Sequence, residues 1–237
     1  MQLSSALHGR NIGRYYQTLR RLKRRCSGVA LTEFALSLPL LMTAGMYGVE
    51  TANLAITTLR VNQVAIQVAD NASRIGDTST LQDRRIYESD INDLLLGSNL
   101  QAGTSIDLYH HGRVIVSSLE VVPGTDNQQY IHWQRCKGTK AFASSYGNQG
   151  DGLTSSLAGM GPPGEEVTAQ RGEAVIFVEV SYDYQPLVPG FFQTSRVISS
   201  TSAYTVRESR DLTQIYQRNA GLPDPVSNCA AYTAFPA

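Results

Sequence analysis

The sequence of 237 residues predicts an α+β protein: a long N-terminal hydrophobic helix, then a domain of mixed helix and antiparallel sheet. Three observations carry that expectation. Val29 to Val49 reads VALTEFALSLPLLMTAGMYGV, with Glu33 as its only charge. As a helix rising about 1.5 Å per residue, such a run crosses a bilayer core. From Glu50 to Ile75 neither Pro nor Gly interrupts the chain, and apolar residues recur at helical spacing. Farther on, Glu173 to Tyr184 and Arg196 to Arg207 are β-rich runs.

Composition is that of a folded chain, 42% hydrophobic and 17% charged, but the zero net charge hides an asymmetry. Seven Lys/Arg lie between Arg10 and Arg25, and no acid occurs before Glu33. The other 13 of the 20 Lys+Arg face all 20 Asp+Glu, so the bulk of the chain is acidic and is not a nucleic-acid binder. The apolar content argues against a long disordered chain, and 20 Gly and 9 Pro without a period exclude a collagen-like one. A secretory signal would place its small residues after the apolar run, whereas Ser27 and Gly28 precede it. Basic residues on the N-terminal flank orient that end toward the cytoplasm and send everything beyond about residue 50 across the membrane.

Glu33 is costly so near a membrane core unless paired, protonated or held at the interface. Read alone, it is either a carboxylate neutralised among headgroups or a group with a partner. Its setting is Arg24-Arg25-Cys26-Ser27-Gly28 followed by Val29-Ala30-Leu31-Thr32-Glu33-Phe34: a basic leader, Gly, four residues and Glu-Phe opening an apolar helix. This resembles the type IV pilin signal. GVALTEFALSLPLLMTAGMYGVE, Gly28 to Glu50, is similar to the TadE-like minor pilins, or pseudopilins, of the tight-adherence (Tad/Flp) pilus system.

The resemblance implies a division into a prepilin leader (1–28), a transmembrane and amphipathic helix (29–76) and a periplasmic α+β domain (77–237). It implies cleavage after Gly28 by a prepilin peptidase, leaving Val29 as the new N-terminus. Glu33, followed by Phe34, then meets the free amine of a neighbouring subunit during assembly, an attraction far stronger in low dielectric than in water. The implied partners are that peptidase, other minor pilins, the major Flp-type pilin, the inner-membrane assembly platform and the lipid bilayer. The place is the bacterial inner membrane, with passage into an extracellular pilus. The major pilin of such systems is very small, so a product of residues 29–237 fits a minor component.

Gly28 also has a reason in its chemistry, because a residue without Cβ lets a protease approach the backbone closely; its plain alternative is a flexible joint. Pro39 either kinks the helix or is tolerated in it. Gly45 and Gly48 permit close helix approach, but their spacing is not GxxxG. With Cys26 in the leader, Cys136 and Cys229 are the remaining pair in a domain assigned to an oxidising space, and they are expected to form a disulfide. Trp133-Gln134-Arg135-Cys136 is similar to a Trp-x-Arg-Cys segment of the family, and packing beside the disulfide accounts for the tryptophan.

In the remaining chain a short helix is expected from Thr80-Leu81-Gln82-Asp83 to a stop at Gly97, with Ile86, Leu94 and Leu95 inward and Asp90, Asn92 and Asp93 on a solvated face. Ser105 to Tyr109 and Arg113 to Ser117 read as a hairpin around a polar His110-His111-Gly112 turn. In Glu173–Tyr184, Ala174, Ile176, Val178, Val180 and Tyr182 form one apolar face, and Glu173, Glu179, Ser181 and Asp183 make much of the other polar, although Val175 and Phe177 interrupt it. Gly147 to Gly172 is expected to be a long exposed loop, serving partner contact or simply variable surface. No GxSxG, HExxH or CxxC pattern is present. The expectation is a structural subunit without a catalytic, metal or cofactor site. The alternatives are an uncleaved signal-anchored periplasmic binding or scaffold protein and a membrane-anchored hydrolase.

Overall fold

The computed structural model describes residues 27–77, 83–188 and 196–235. The basic leader with Cys26, the helix start expected at Thr80 to Gln82 and the Pro189-Gly190 connection lie outside them. The first element, α1, runs from Ser27 to Ala72 and contains Pro39 without a break. The chain divides into two compact units between Ala52 and Asn53.

In the second unit an α+β fold is built on a four-stranded antiparallel sheet. Its strands are β1 (Gly112–Val121), β2 (Gln129–Lys137), β3 (Ala174–Asp183) and β4 (Val197–Thr205), in spatial order β2-β1-β3-β4. Helix α2 spans Glu88–Ala102 and the short α3 Leu108–His111. The stripe Val61, Val64, Ala65, Val68, Ala69 and Ala72 of α1 is buried in one cluster with Ile91 and Leu95 of α2 and with Val114, Val116, Ile176, Val178, Val180 and Tyr182 of the sheet. That stripe makes the second half of the helix amphipathic, so only its sheet-side face leaves water. β3 presents the predicted apolar face here.

The opposite face of the sheet, expected to be largely polar with Val175 and Phe177 interrupting it, is buried. Val175 and Phe177 pack with Leu119, Ile131, Met160 and Ala169 in a second cluster. Glu179 and Ser181 are buried as well, at 2% and 1% exposure. The cover is the Gly-rich segment read as an exposed loop, pinned by a bridge between Met160 and Val167 that holds Met160 fully buried. Glycine serves close approach in this segment: a Cβ on Gly152 (φ +96°) would lie 2.1 Å from the Gln129 carbonyl oxygen.

Three local expectations are corrected. The helix after residue 77 starts at Glu88 and passes through Gly97 to Ala102, where Gly103 (φ +79°) ends it. Gly97 costs about 1 kcal/mol relative to Ala, which burial of Leu95, Ser98 and Ala102 outweighs. Its acidic face is occupied rather than merely solvated: Asp90 accepts from the Tyr87 amide at 3.1 Å and from Arg218 at 2.6 Å, and Asn92 donates to the Pro225 carbonyl at 2.8 Å. Residues 105–109 form no strand. Asp107 adopts φ +48° and α3 follows, with the adjacent Leu108 and Tyr109 both buried.

β1 pairs instead with β2, across 122–128, and with β3. The register shifts between Ser118 and Leu119, so Trp133 lies opposite Ser118 and Ile131 opposite Leu119. Trp133 joins the helix-side cluster, while Cys136, three residues along the strand, is paired with Ile115 on the other face. The tryptophan is therefore a core residue of the helix side and not a companion of the cysteine.

The helix boundaries make a direct test. Leu95→Ala, at a fully buried site, is expected to cost about 2–5 kcal/mol, and Leu100→Ala, on an exposed turn of the same helix, within about 0.5 kcal/mol. Denaturant titration of the two variants checks this, and equal losses would contradict the observed phase of α2.

Candidate functional site

The residues singled out for processing and assembly lie on α1 in the first unit. Gly28, Val29, Glu33 and Phe34 are all exposed, and a Cβ built on Gly28 meets nothing within 4 Å. Local packing therefore gives no reason for glycine there. Around them Leu31, Leu36, Leu40, Leu41, Met42 and Val49 are exposed by 57–76%. Burying one such side chain is worth about 1.5–3 kcal/mol, so a surface of this size is unstable in water unless something covers it. The helix is long and apolar enough to cross a membrane.

The polar side chains of this stretch are satisfied within the helix. Thr32 donates to the Val29 carbonyl at 2.8 Å, Ser37 to Phe34 at 3.2 Å, Thr43 to Pro39 at 2.7 Å and Thr51 to Tyr47 at 2.8 Å. Hydroxyls bonded back to the preceding turn need no water, as a hydrocarbon setting requires. Glu33 is the one formally charged residue between Gly28 and Val49. Val29 stands one turn before it. No small-residue contact is made at Gly45 or Gly48, where a Cβ also meets nothing.

In the second unit Cys136 and Cys229 are joined, with sulfurs 2.04 Å apart, closing a separation of 93 residues. The C-terminal segment is held to the β2 edge by more than this bond. The Cys136 amide donates to the Ser227 carbonyl at 2.8 Å and the Gly138 amide to Thr233 at 2.9 Å. Arg113, 1% exposed, donates to the carbonyls of Gly138 at 3.0 Å, Ala231 at 3.1 Å and Cys229 at 2.6 Å, with its guanidinium 4.0 Å above the Tyr232 ring. Burial pushes its pKa down, opposed by Tyr232. Sequence reasoning missed this clamp, and also the buried pair in which Arg135 of β2 grips both oxygens of Glu88 at the start of α2.

Other groups with chemical potential are tied up structurally. Ser118 donates to Glu120 at 2.7 Å and His132 Nδ1 lies 2.9 Å from the other oxygen of the same carboxylate. Serine and imidazole thus share one acceptor, an arrangement that orients both and hands no serine proton to the histidine. His110 Nδ1 lies 2.6 Å from Asp107 at the end of α3. Tyr109, buried, donates to the Leu95 carbonyl at 2.9 Å, and desolvation raises its pKa well above the phenol range. Among the described residues no group of three or more His, Cys, Asp or Glu is gathered to hold a metal ion.

No family model, curated protein or solved structure matches this chain.

Glu179 provides a pH test. Burial raises its pKa, opposed by hydrogen bonds from Ser144 and from the Ser145 amide at 2.8 Å. The folded state therefore holds the proton more tightly than the unfolded chain, and stability falls as pH rises from the ordinary carboxylate value through the raised one. Glu179→Gln, which keeps an acceptor without the charge, is expected to flatten that fall. Unfolding midpoints measured from about pH 4 to 7 check it, and parallel curves for the two proteins would reject the assignment.

Proposed function

We propose that the chain is a minor pilin or pseudopilin subunit of a tight-adherence, Flp-type pilus, processed after Gly28 by a prepilin peptidase and without chemistry of its own. The observation that carries the reading is a lone carboxylate, Glu33, in an uncovered apolar helix five residues beyond a glycine that no neighbour demands. Before assembly the helix holds the subunit in the inner membrane, with the N-terminal side cytoplasmic and the domain of residues 77–237 periplasmic. After assembly other helices replace the lipid, and partners are further minor pilins, the major Flp-type pilin and the inner-membrane assembly platform.

The physical logic is a charge balance. Cleavage removes the basic leader and creates an amine at Val29. A carboxylate alone in hydrocarbon costs several kcal/mol. Paired with an amine from an adjoining subunit it becomes favourable, because attraction at short range grows as the dielectric falls. Assembly is then coupled to cleavage, since an uncleaved subunit has no amine to offer. Internally bonded hydroxyls in Thr32, Ser37 and Thr43 support residence in an apolar medium. The disulfide supports an oxidising location for the domain.

Two substitutions separate the steps. Gly28→Ala, or a bulkier residue, is expected to leave the precursor uncut on immunoblots of membranes. Glu33→Ala is expected to be cut normally yet to reduce assembled pili at least about tenfold, the equivalent of losing roughly 1.4 kcal/mol of pairing. Normal piliation by the Glu33 variant would remove the pairing role.

A further inference from the structure

Four arginines converge on one cleft of the second unit. Arg74, Arg84, Arg207 and Arg210 line a cavity of about 400 Å³ together with Glu208. The backbone creates the cluster. The segment before α2 pairs with the chain after β4 through parallel bridges, Arg84 beside Arg210 and Tyr87 beside Tyr216. Hydrogen bonds from the Arg84 amide to the Ser209 carbonyl at 3.0 Å and from the Asp211 amide to the Arg84 carbonyl at 2.9 Å lock this register. Two guanidinium side chains are thereby held as direct neighbours, a placement that is unfavourable for like charges.

Compensation within the cleft is incomplete. Asp70 is shared by Arg74 at 2.8 Å and Arg207 at 3.0 Å, and Glu208 pairs with Arg84. Arg210 pairs with no carboxylate. One of its terminal nitrogens donates to the carbonyls of Ala72 and Ile75, each at 3.0 Å, at the end of α1. Glu120 is near enough to act on Arg210 through space, but its oxygens are bonded to Ser118 and His132. Four cations face two paired acids, with Glu120 acting on Arg210 through space, and the cleft keeps a net positive charge.

Unused donors are present as well. Arg210 is 8% exposed, yet among the described residues its Nε and Nη1 have no hydrogen-bond partner, and neither does the buried Nε of Arg84. Buried polar groups are normally bonded, and each one left without an acceptor is costly. Burial pushes the Arg210 pKa down to about 10, with Arg84 adding to the decrease and Glu120 opposing it. A charged group is being kept, at a cost, largely out of water and without a directly paired carboxylate among the described residues.

We propose that this cleft is a binding site for a phosphate group, carried by free phosphate or by a lipid headgroup. A phosphate carries −1.5 to −2 charge near neutral pH and three or more acceptor oxygens, which suits a positively charged cleft lined by several guanidinium groups. Planar guanidinium forks are the side chains best suited to such an anion. A single carboxylate supplies only two oxygens in one plane and one charge. The proposal is independent of processing after Gly28 and of assembly through Glu33.

The test uses the full chain in detergent micelles and in nanodiscs. Calorimetric titration of the micellar protein with inorganic phosphate is expected to show saturable one-to-one binding tighter than about 1 mM, beyond any response to chloride at equal ionic strength. Arg207→Gln, at a half-exposed position, is expected to weaken it about tenfold, and Arg210→Gln to abolish it. In the second arm, phosphatidic acid nanodiscs are compared with phosphatidylcholine nanodiscs by hydrogen exchange of residues 73–75 and 206–210. Binding of inorganic phosphate identifies the free anion, and protection by phosphatidic acid alone, lost in Arg207→Gln, identifies the headgroup. No response above the chloride and phosphatidylcholine controls, or a response unchanged in Arg207→Gln, overturns the proposal.

Discussion

Removal of apolar surface from water governs both halves of α1, and it is met in two different ways. From Val61 to Ala72 the helix is apolar along one stripe, and the sheet and α2 cover that stripe completely. From Val29 to Val49 it is apolar nearly all round, and its large side chains stand exposed. A soluble protein does not tolerate such a surface, so this stretch needs lipid or other helices around it. One continuous helix thus passes from needing an external apolar solvent to carrying its own core. Glu33 acquires meaning from that change, since a carboxylate is ordinary on a wet helix and demands a partner in a dry one.

The domain beyond Asn53 solves a separate problem, which is to hold irregular chain firmly. More than half of its described length lies outside helices and strands, and its two long irregular stretches are both docked on the sheet. Met160 anchors the Gly-rich segment into a second core on the face away from the helices. The C-terminal segment is fixed by the Cys136–Cys229 bond, the Arg113 carbonyl clamp and backbone bonds from Cys136 and Gly138. On the chain-entropy view a cross-link closing so long a loop contributes about 4 to 5 kcal/mol. Arg113 acts differently: its charge is spread over carbonyl dipoles and an aromatic face, so the clamp holds only while the tail stays in place.

Features set by local composition were legible in the sequence. The long helix follows from an uninterrupted apolar run, β3 from alternation in Ala174 to Tyr182, and β4 from a run of Val, Ile, Thr and Tyr. Pairing of Cys136 with Cys229 followed from compartment and count. What escaped reading depends on partners distant in the chain. β2 went unassigned because the shift opposite Ser118 and Leu119 breaks its alternation, although Tyr130, Ile131 and Trp133 carried a β-rich signal. Ser105 to Tyr109 has strand composition, but two consecutive inward residues suit a turn of helix. Gly97 looked like a stop because a glycine's cost is local, whereas the packing that overrides it is not. The Arg135–Glu88 pair, the Arg113 clamp and the arginine cleft join residues tens of positions apart, and nothing in the spacing announces them. The proposed processing segment is a different case: its reading rests on a short linear pattern around Gly28 and Glu33 and not on tertiary structure.

The central claim is that a protease frees the amine of Val29 for the carboxylate of an adjoining Glu33. N-terminal sequencing of the protein extracted from cell membranes, in cells with and without prepilin peptidase, tests it most directly. The account predicts a chain beginning at Val29 when the peptidase is present and one retaining the arginine-rich leader when it is absent. A chain that begins at Met1 in both would contradict it.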